Sequence, residues 1–375
     1  MTEEQTIRQA CENILGFITH GNKKHVLRPE DEVLILGDNG SFGKYGYLTP
    51  LYTQTLAETI EDWQGNADRV HVKFLPDKRP FTSVDQLDPE ITRLASTVPV
   101  VIGTYSNPGP EVSVKEKPTL FQGFVTPATS RKDSSLRLYT VAARTTPAVL
   151  KSLSNSEQIR NTDRLTRALK SYLEKNVGET MYVYSDGEHV IPSCLFFNIP
   201  TSGPIIGDFS EAQEYIKNIP FGEGFIEPEP GTGFGNLVME EGSYYDLEIP
   251  IRGRIDITFS HGKIRDVKDV QGKDSEILAY LNKHLQDIAN SHFAEWGGGT
   301  NLGSTEIPLK EAVYNRIIRE KTVGFHIAYG GSKVFGGTHE APVHVDNLFT
   351  YGNVYVGKEA LIRNGKLREK VLHFD

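Results

Sequence analysis

The sequence predicts an α/β fold in which an N-terminal α/β sheet domain is followed by a β-rich α+β domain. Three observations predict it. Short apolar runs alternate with helix-patterned segments through the first half of the chain. After a long helical pattern at 156–175 the runs become strand-like, with few helices between them. At 375 residues the chain also exceeds a usual single core, so two domains are the default.

Val33-Leu34-Ile35-Leu36 is an apolar run stopped by Gly37-Asp38-Asn39-Gly40, as in a buried strand. Thr49-Pro50 offers an N-cap and an N1 proline to a helix reaching about Trp63. Segments 70–75, 98–103 and 136–141 read as further strands, and strands spaced by helices imply a mostly parallel sheet with crossovers. The helix at 156–175 places Ile159, Leu165, Leu169 and Leu173 on one buried stripe. Beyond it, 182–184, 195–197, 244–247 and 255–259 are strand-like, Ser260-His261-Gly262-Lys263 is a hairpin turn, and a helix covers about 275–288. The expected domains are therefore 1–177 and 178–375.

A hydrophobic content of 38%, with 16 Tyr and 18 Phe, describes an ordered globular protein. The net charge of -9 and the lack of a Lys/Arg run argue against nucleic acid as a partner. No apolar run reaches the roughly 18–20 residues of a membrane span, and the polar, acidic N-terminus does not read as a signal peptide. Only Cys11 and Cys194 occur, which excludes a disulfide scaffold or thiolate metal site. These features lead to the expectation of a cytoplasmic protein.

Five residues carry metal chemistry: Glu223, Glu295, His326, His344 and Asp346. Carboxylates mixed with imidazoles suit zinc, manganese, cobalt or iron(II) better than magnesium or calcium, which favour oxygen alone. His344-Val345-Asp346 on a strand would point both side chains to one face, because strand side chains alternate. Other features are read as structural. His339 and Glu340 read as solvated loop residues, His292 as a helix-end histidine and His261 as a turn residue. Gly37–Gly43 lacks the glycine and lysine pattern of a phosphate loop.

The motifs occur in an order that resembles the thermophilic-type metalloaminopeptidases, the aminopeptidase T family (peptidase family M29). Asn218-Ile219-Pro220-Phe221-Gly222-Glu223 resembles the family's "N-x-P-x-G-E", and Glu295-Trp296-Gly297-Gly298-Gly299-Thr300-Asn301 its "E-L-G-x-G-T-N". His326-Ile327-Ala328-Tyr329-Gly330 resembles "H-I-A-x-G", and His344-Val345-Asp346 resembles "H-x-D". The resemblance implies a cytoplasmic, homodimeric metallohydrolase that cleaves amide bonds of short peptides or small amides through a metal-bridged hydroxide. Two divalent ions (Zn, Co or Mn) would sit on Glu223, Glu295, His326, His344 and Asp346, with Glu295 also moving the proton.

Two departures qualify this. Where the family places a tyrosine that stabilises the tetrahedral intermediate, this chain has Lys333, and Tyr329 is the nearby substitute. The run from Gly336 to His344 resembles a divergent branch, the 2,5-dihydroxypyridine 5,6-dioxygenases, which use one iron(II). His326, His344 and Asp346 would by themselves form a 2-His-1-carboxylate site. The alternative is thus a mononuclear iron(II) dioxygenase that opens a hydroxylated pyridine or aromatic ring.

Overall fold

The structure is a computed structural model and describes residues 1–19, 26–38, 48–75, 88–104, 137–141, 146–185, 193–203, 205–206, 216–219, 221–247, 249–305, 307, 316–322, 324–333 and 336–372. Two compact units divide the chain. The first comprises Met1–Ile159, Glu214–Pro220 and Glu306–Ile318, and the second comprises Arg160–Gln213, Phe221–Thr305 and Arg319–Asp375. The boundary expected at 177/178 follows the helix Ser156–Lys175, most of which already belongs to the second unit. Two later segments also return to the first unit, an exchange that a linear reading does not reveal.

In the first unit, β1 (Val33–Asp38), β2 (Val70–Leu75), β3 (Val100–Gly103), β4 (Arg137–Val141) and β5 (Ile216–Ile219) form one sheet. Every pairing in it is parallel. Val33 to Leu36 are all buried, as expected for a central parallel strand covered on both faces. Helix α1 (Glu3–Thr19) buries Ile7, Cys11, Ile14 and Ile18, a three-to-four-residue spacing that makes one apolar stripe. The start of β4 is fixed by charge. Arg137 Nη2 lies 2.6 Å from Asp31 Oδ1, both side chains are under a tenth exposed, and Asp31 Oδ2 accepts from Arg28 N at 2.7 Å.

The second unit holds two antiparallel sheets, matching the β-rich half expected from sequence. One has eight strands; the other has seven, and four neighbouring strands within it are 344–349, 324–330, 293–299 and 223–226. Met181, Leu195 and Phe197 from the first sheet share a core with Ile226, Trp296, Ile327 and Val345 from the second. Leu165, Leu169 and Leu173 join that core as predicted for the helix stripe, whereas Ile159, the fourth residue of that stripe, is only half-buried and lies outside it. Strand alternation then leaves the other face of the seven-stranded sheet for polar residues. Among the described residues, no helix is long and apolar enough to cross a membrane.

Removing one partner of a buried ion pair leaves the other charge uncompensated, at a cost of about 3–5 kcal/mol. Asp31→Asn is therefore expected to destabilise the first unit by about that much, measured as a lower urea midpoint for the transition that reports on it.

Candidate metal centre

Four strands bring the predicted ligands together: β6 (Glu223–Ile226), β7 (Phe293–Gly299), β8 (Gly324–Gly330) and β9 (His344–Phe349). Their registers explain how. Glu295 stands opposite Ala328, which stands opposite Asp346; His326 lies opposite Gly297, and His344 opposite Gly330. Glu223 pairs with Gly299 on the other side of β7. Trp296, Ile327 and Val345 alternate with these residues and point into the core.

Glu295 is the centre of the group. It is 3% exposed, and its Oε1 lies 3.0 Å from His326 Nε2 while its Oε2 lies 3.3 Å from His344 Nε2. His344 Nε2 is also 3.1 Å from Asp346 Oδ1. His344 Nδ1 donates to Gly331 O at 2.7 Å, which directs Nε2 at the carboxylates. Burial would raise the Glu295 carboxyl, yet the two imidazoles outweigh it and hold the group below its ordinary range. Burial likewise acts to lower His326, but Glu295 prevails and lifts it to about 9. For His344, Asp346 and Glu295 overcome burial and raise it well above the ordinary imidazole range.

Glu295, His344 and Asp346 offer donor atoms within 4.8 Å of one another, and so do Glu223, Glu320 and His326. The second group has an occupant. Lys321 is 1% exposed, and its Nζ makes ion pairs with Glu223 Oε1 at 2.5 Å and Glu320 Oε2 at 3.2 Å. Burial pulls the Lys321 ammonium down, but Glu223 and Glu320 reverse that and keep it protonated. Burial, reinforced by Glu320, pushes the Glu223 carboxyl up to about 8 against the pull of Lys321.

The glycines of the Glu295 motif permit this layout. A Cβ on Gly297 would overlap the His326 ring, so only glycine lets the imidazole lie against β7. A Cβ on Gly299 would overlap the Thr322 carbonyl, so the backbone beside Lys321 can approach closely. The next two residues tie both neighbouring segments down. Thr300 N donates to Gly222 O at 2.8 Å and Asn301 N to Lys321 O at 2.9 Å. Asn301 Nδ2 donates to Phe221 O at 2.7 Å. The motif thus places Glu223 and Lys321 as well as Glu295.

Two of the expected catalytic residues are not brought to the cluster. Lys333 is exposed and pairs with Glu340 at 2.6 Å. Tyr329 alternates with His326 and Ala328, so it faces the core, where its hydroxyl meets that of Tyr245 at 2.7 Å. Burial raises its phenol far above the ordinary value. His292 caps a short 3-10 turn and stacks on His339, with ring centroids 3.4 Å apart, and belongs to neither ligand group. Sequence reasoning does not single out Glu320 and Lys321, because Arg319-Glu320-Lys321 looks like a solvated charge run.

The donor set fits a transition metal: oxygen and imidazole donors, buried or half-buried, all but Glu320 on strands. Its histidines keep protons that a ligated nitrogen must lose. Since both pKa values are raised, proton competition is strong below about pH 9 for His326 and fades above it. Apparent metal affinity is expected to fall with decreasing pH by roughly tenfold per displaced proton per unit. Calorimetric titrations at pH 6 to 9, in buffers of different ionisation enthalpy, would measure the affinity and the proton release. Gly297→Ala is expected to displace the His326 ring and weaken binding in the same titration.

No protein-family model matches the chain, and no curated protein matches it by sequence. Among solved structures it is similar to a 2,5-dihydroxypyridine dioxygenase from Pseudomonas putida, with a TM-score of 0.64 over 98% of each chain at 16% identity. At that identity the likeness shows the fold: over 98% of its length, the chain matches a fold that a dioxygenase also uses.

Proposed function

We propose that this protein is a metal-dependent oxygenase with one metal ion per chain, opening the ring of a hydroxylated pyridine or related aromatic. Lys321 carries the reading. With its ammonium already between Glu223 and Glu320, a second divalent ion would meet a fixed positive charge in a buried site. That disfavours the two-metal aminopeptidase that the motifs resemble, and the whole-length likeness to a dioxygenase supports the mononuclear alternative.

His344 and Asp346, which group with Glu295, would hold the ion, and His326, which groups with Glu223 and Glu320 and is hydrogen-bonded to Glu295, would complete the two-imidazole set. An iron(II) ion on two imidazoles and a carboxylate would supply the redox chemistry that dioxygen needs. A ring-opening dioxygenation places both oxygen atoms in the product and requires no external reductant. The chain's own residues would handle the proton. Glu295 presents Oε1 to His326 and Oε2 to His344, so it can take a proton from a ring hydroxyl once the imidazoles are neutral.

Elemental analysis of protein loaded with iron(II), paired with an oxygen electrode and a panel of dihydroxypyridines and catechols, tests the proposal. One iron per chain and oxygen-dependent turnover are expected. Two metals per chain, or anaerobic hydrolysis of aminoacyl-nitroanilides, would overturn it. Lys321→Met removes the resident cation while keeping the volume, and is expected to raise the metal count from one to two.

A further inference from the structure

We propose that Glu227 is a positioning residue for the metal centre, acting on His344 through the segment that precedes it. This rests on the metal-centre reading but concerns a residue outside the ligand groups.

Glu227 is 7% exposed. It follows directly from β6, the strand that begins with Glu223. Its carboxylate accepts from the Ser332 hydroxyl, from Thr338 N at 2.8 Å and from the Thr338 hydroxyl at 3.1 Å. These donors are neutral and come from two places in the segment between β8 and β9, Ser332 near its start and Thr338 further along. Burying a carboxylate is costly, and three convergent donors offset that cost while holding Ser332 and Thr338 in one arrangement.

The shape bears on the metal centre through Gly331. The Ser332 hydroxyl also accepts from His339 N at 3.0 Å, and Ser332 N donates to His339 O at 2.8 Å. Gly331 N donates to Val343 O at 2.8 Å, closing the base of the segment. With Ser332 held from both sides, the adjacent Gly331 carbonyl is fixed where it accepts from His344 Nδ1. That bond sets the ring so that Nε2 faces Asp346 and Glu295. Glu227 thus controls a ligand's orientation at one remove, and the strand bearing Glu223 becomes a support for the opposite edge of the centre.

Outer partners that orient a ligating histidine typically contribute about 10–100-fold in metal affinity. The test titrates metal-free full-length protein with cobalt(II), recording the dissociation constant and the visible ligand-field spectrum alongside the melting temperature. For Glu227→Ala, binding about 10–100-fold weaker with an altered spectrum is expected. For Glu227→Gln, which keeps the size but faces the Thr338 N–H with an amide, a loss of at least about threefold is expected. If the alanine variant does not fold, the glutamine variant decides. Wild-type affinity and spectrum in a folded variant, whatever its melting temperature, would overturn the inference. A wild-type chain that takes up no cobalt(II) would overturn the metal centre itself, so the two failures are distinguishable.

Discussion

Glu295 serves two imidazoles with one buried carboxylate, and the second unit is arranged around that double contact. A carboxylate at 3% exposure needs charge or hydrogen-bond partners on both oxygens. His326 and His344 provide them from adjacent strands, which fixes the registers of β7, β8 and β9. The strands in turn must direct Trp296, Ile327 and Val345 to the opposite face. Packing on one side of the sheet and polar geometry on the other are therefore one constraint: a slip of one residue would move every ligand into the core and every core residue out.

A second constraint comes from backbone contact. Gly299 has no Cβ to hold off the Thr322 carbonyl, and Asn301 bonds to segments on both sides of β7. Because Asn301 bonds to Phe221 and Lys321 together, the acid Glu223 and the cation Lys321 arrive at the same place. Basic and acidic groups then alternate from Lys321 through Glu223, His326, Glu295 and His344 to Asp346. Alternation is how a low-dielectric interior tolerates so many ionisable groups.

Much of this is legible in the sequence, and the parts that are not have physical causes. The placement of His344 and Asp346 on one face follows from period-two alternation, and the glycines beside Glu295 and Glu223 signal a close backbone, but the registers that bring Glu295 and His326 beside them come from long-range pairing. The helix at 156–175 is clear because its stripe has a single period. Lys321 is opaque because a lysine beside Arg319 and Glu320 looks solvated unless the approach of Gly299 is known. Tyr329 looks close to the centre because three residues are a short distance along the chain, yet on a strand an odd spacing means the opposite face. Lys333 is only a further four residues on, but it leaves β8 and pairs with Glu340 in solvent. The first unit's extent is hidden for another reason: β5 completes its sheet only by a long-range parallel pairing with β4.

The distribution of protons gives the arrangement its chemical meaning. Without a metal, the elevated His326 and His344 do for Glu295 and Asp346 what a cation would do, neutralising carboxylates that cannot reach water. Lys321 does the same for Glu223 and Glu320, with one difference. An imidazolium that loses its proton becomes a ligand, whereas the buried ammonium is held in the charged form by two acids. One half of the cluster can therefore exchange protons for a metal ion while the other keeps its cation. On the proposed reading, that asymmetry, more than the identity of any single ligand, is what would limit the centre to one metal ion.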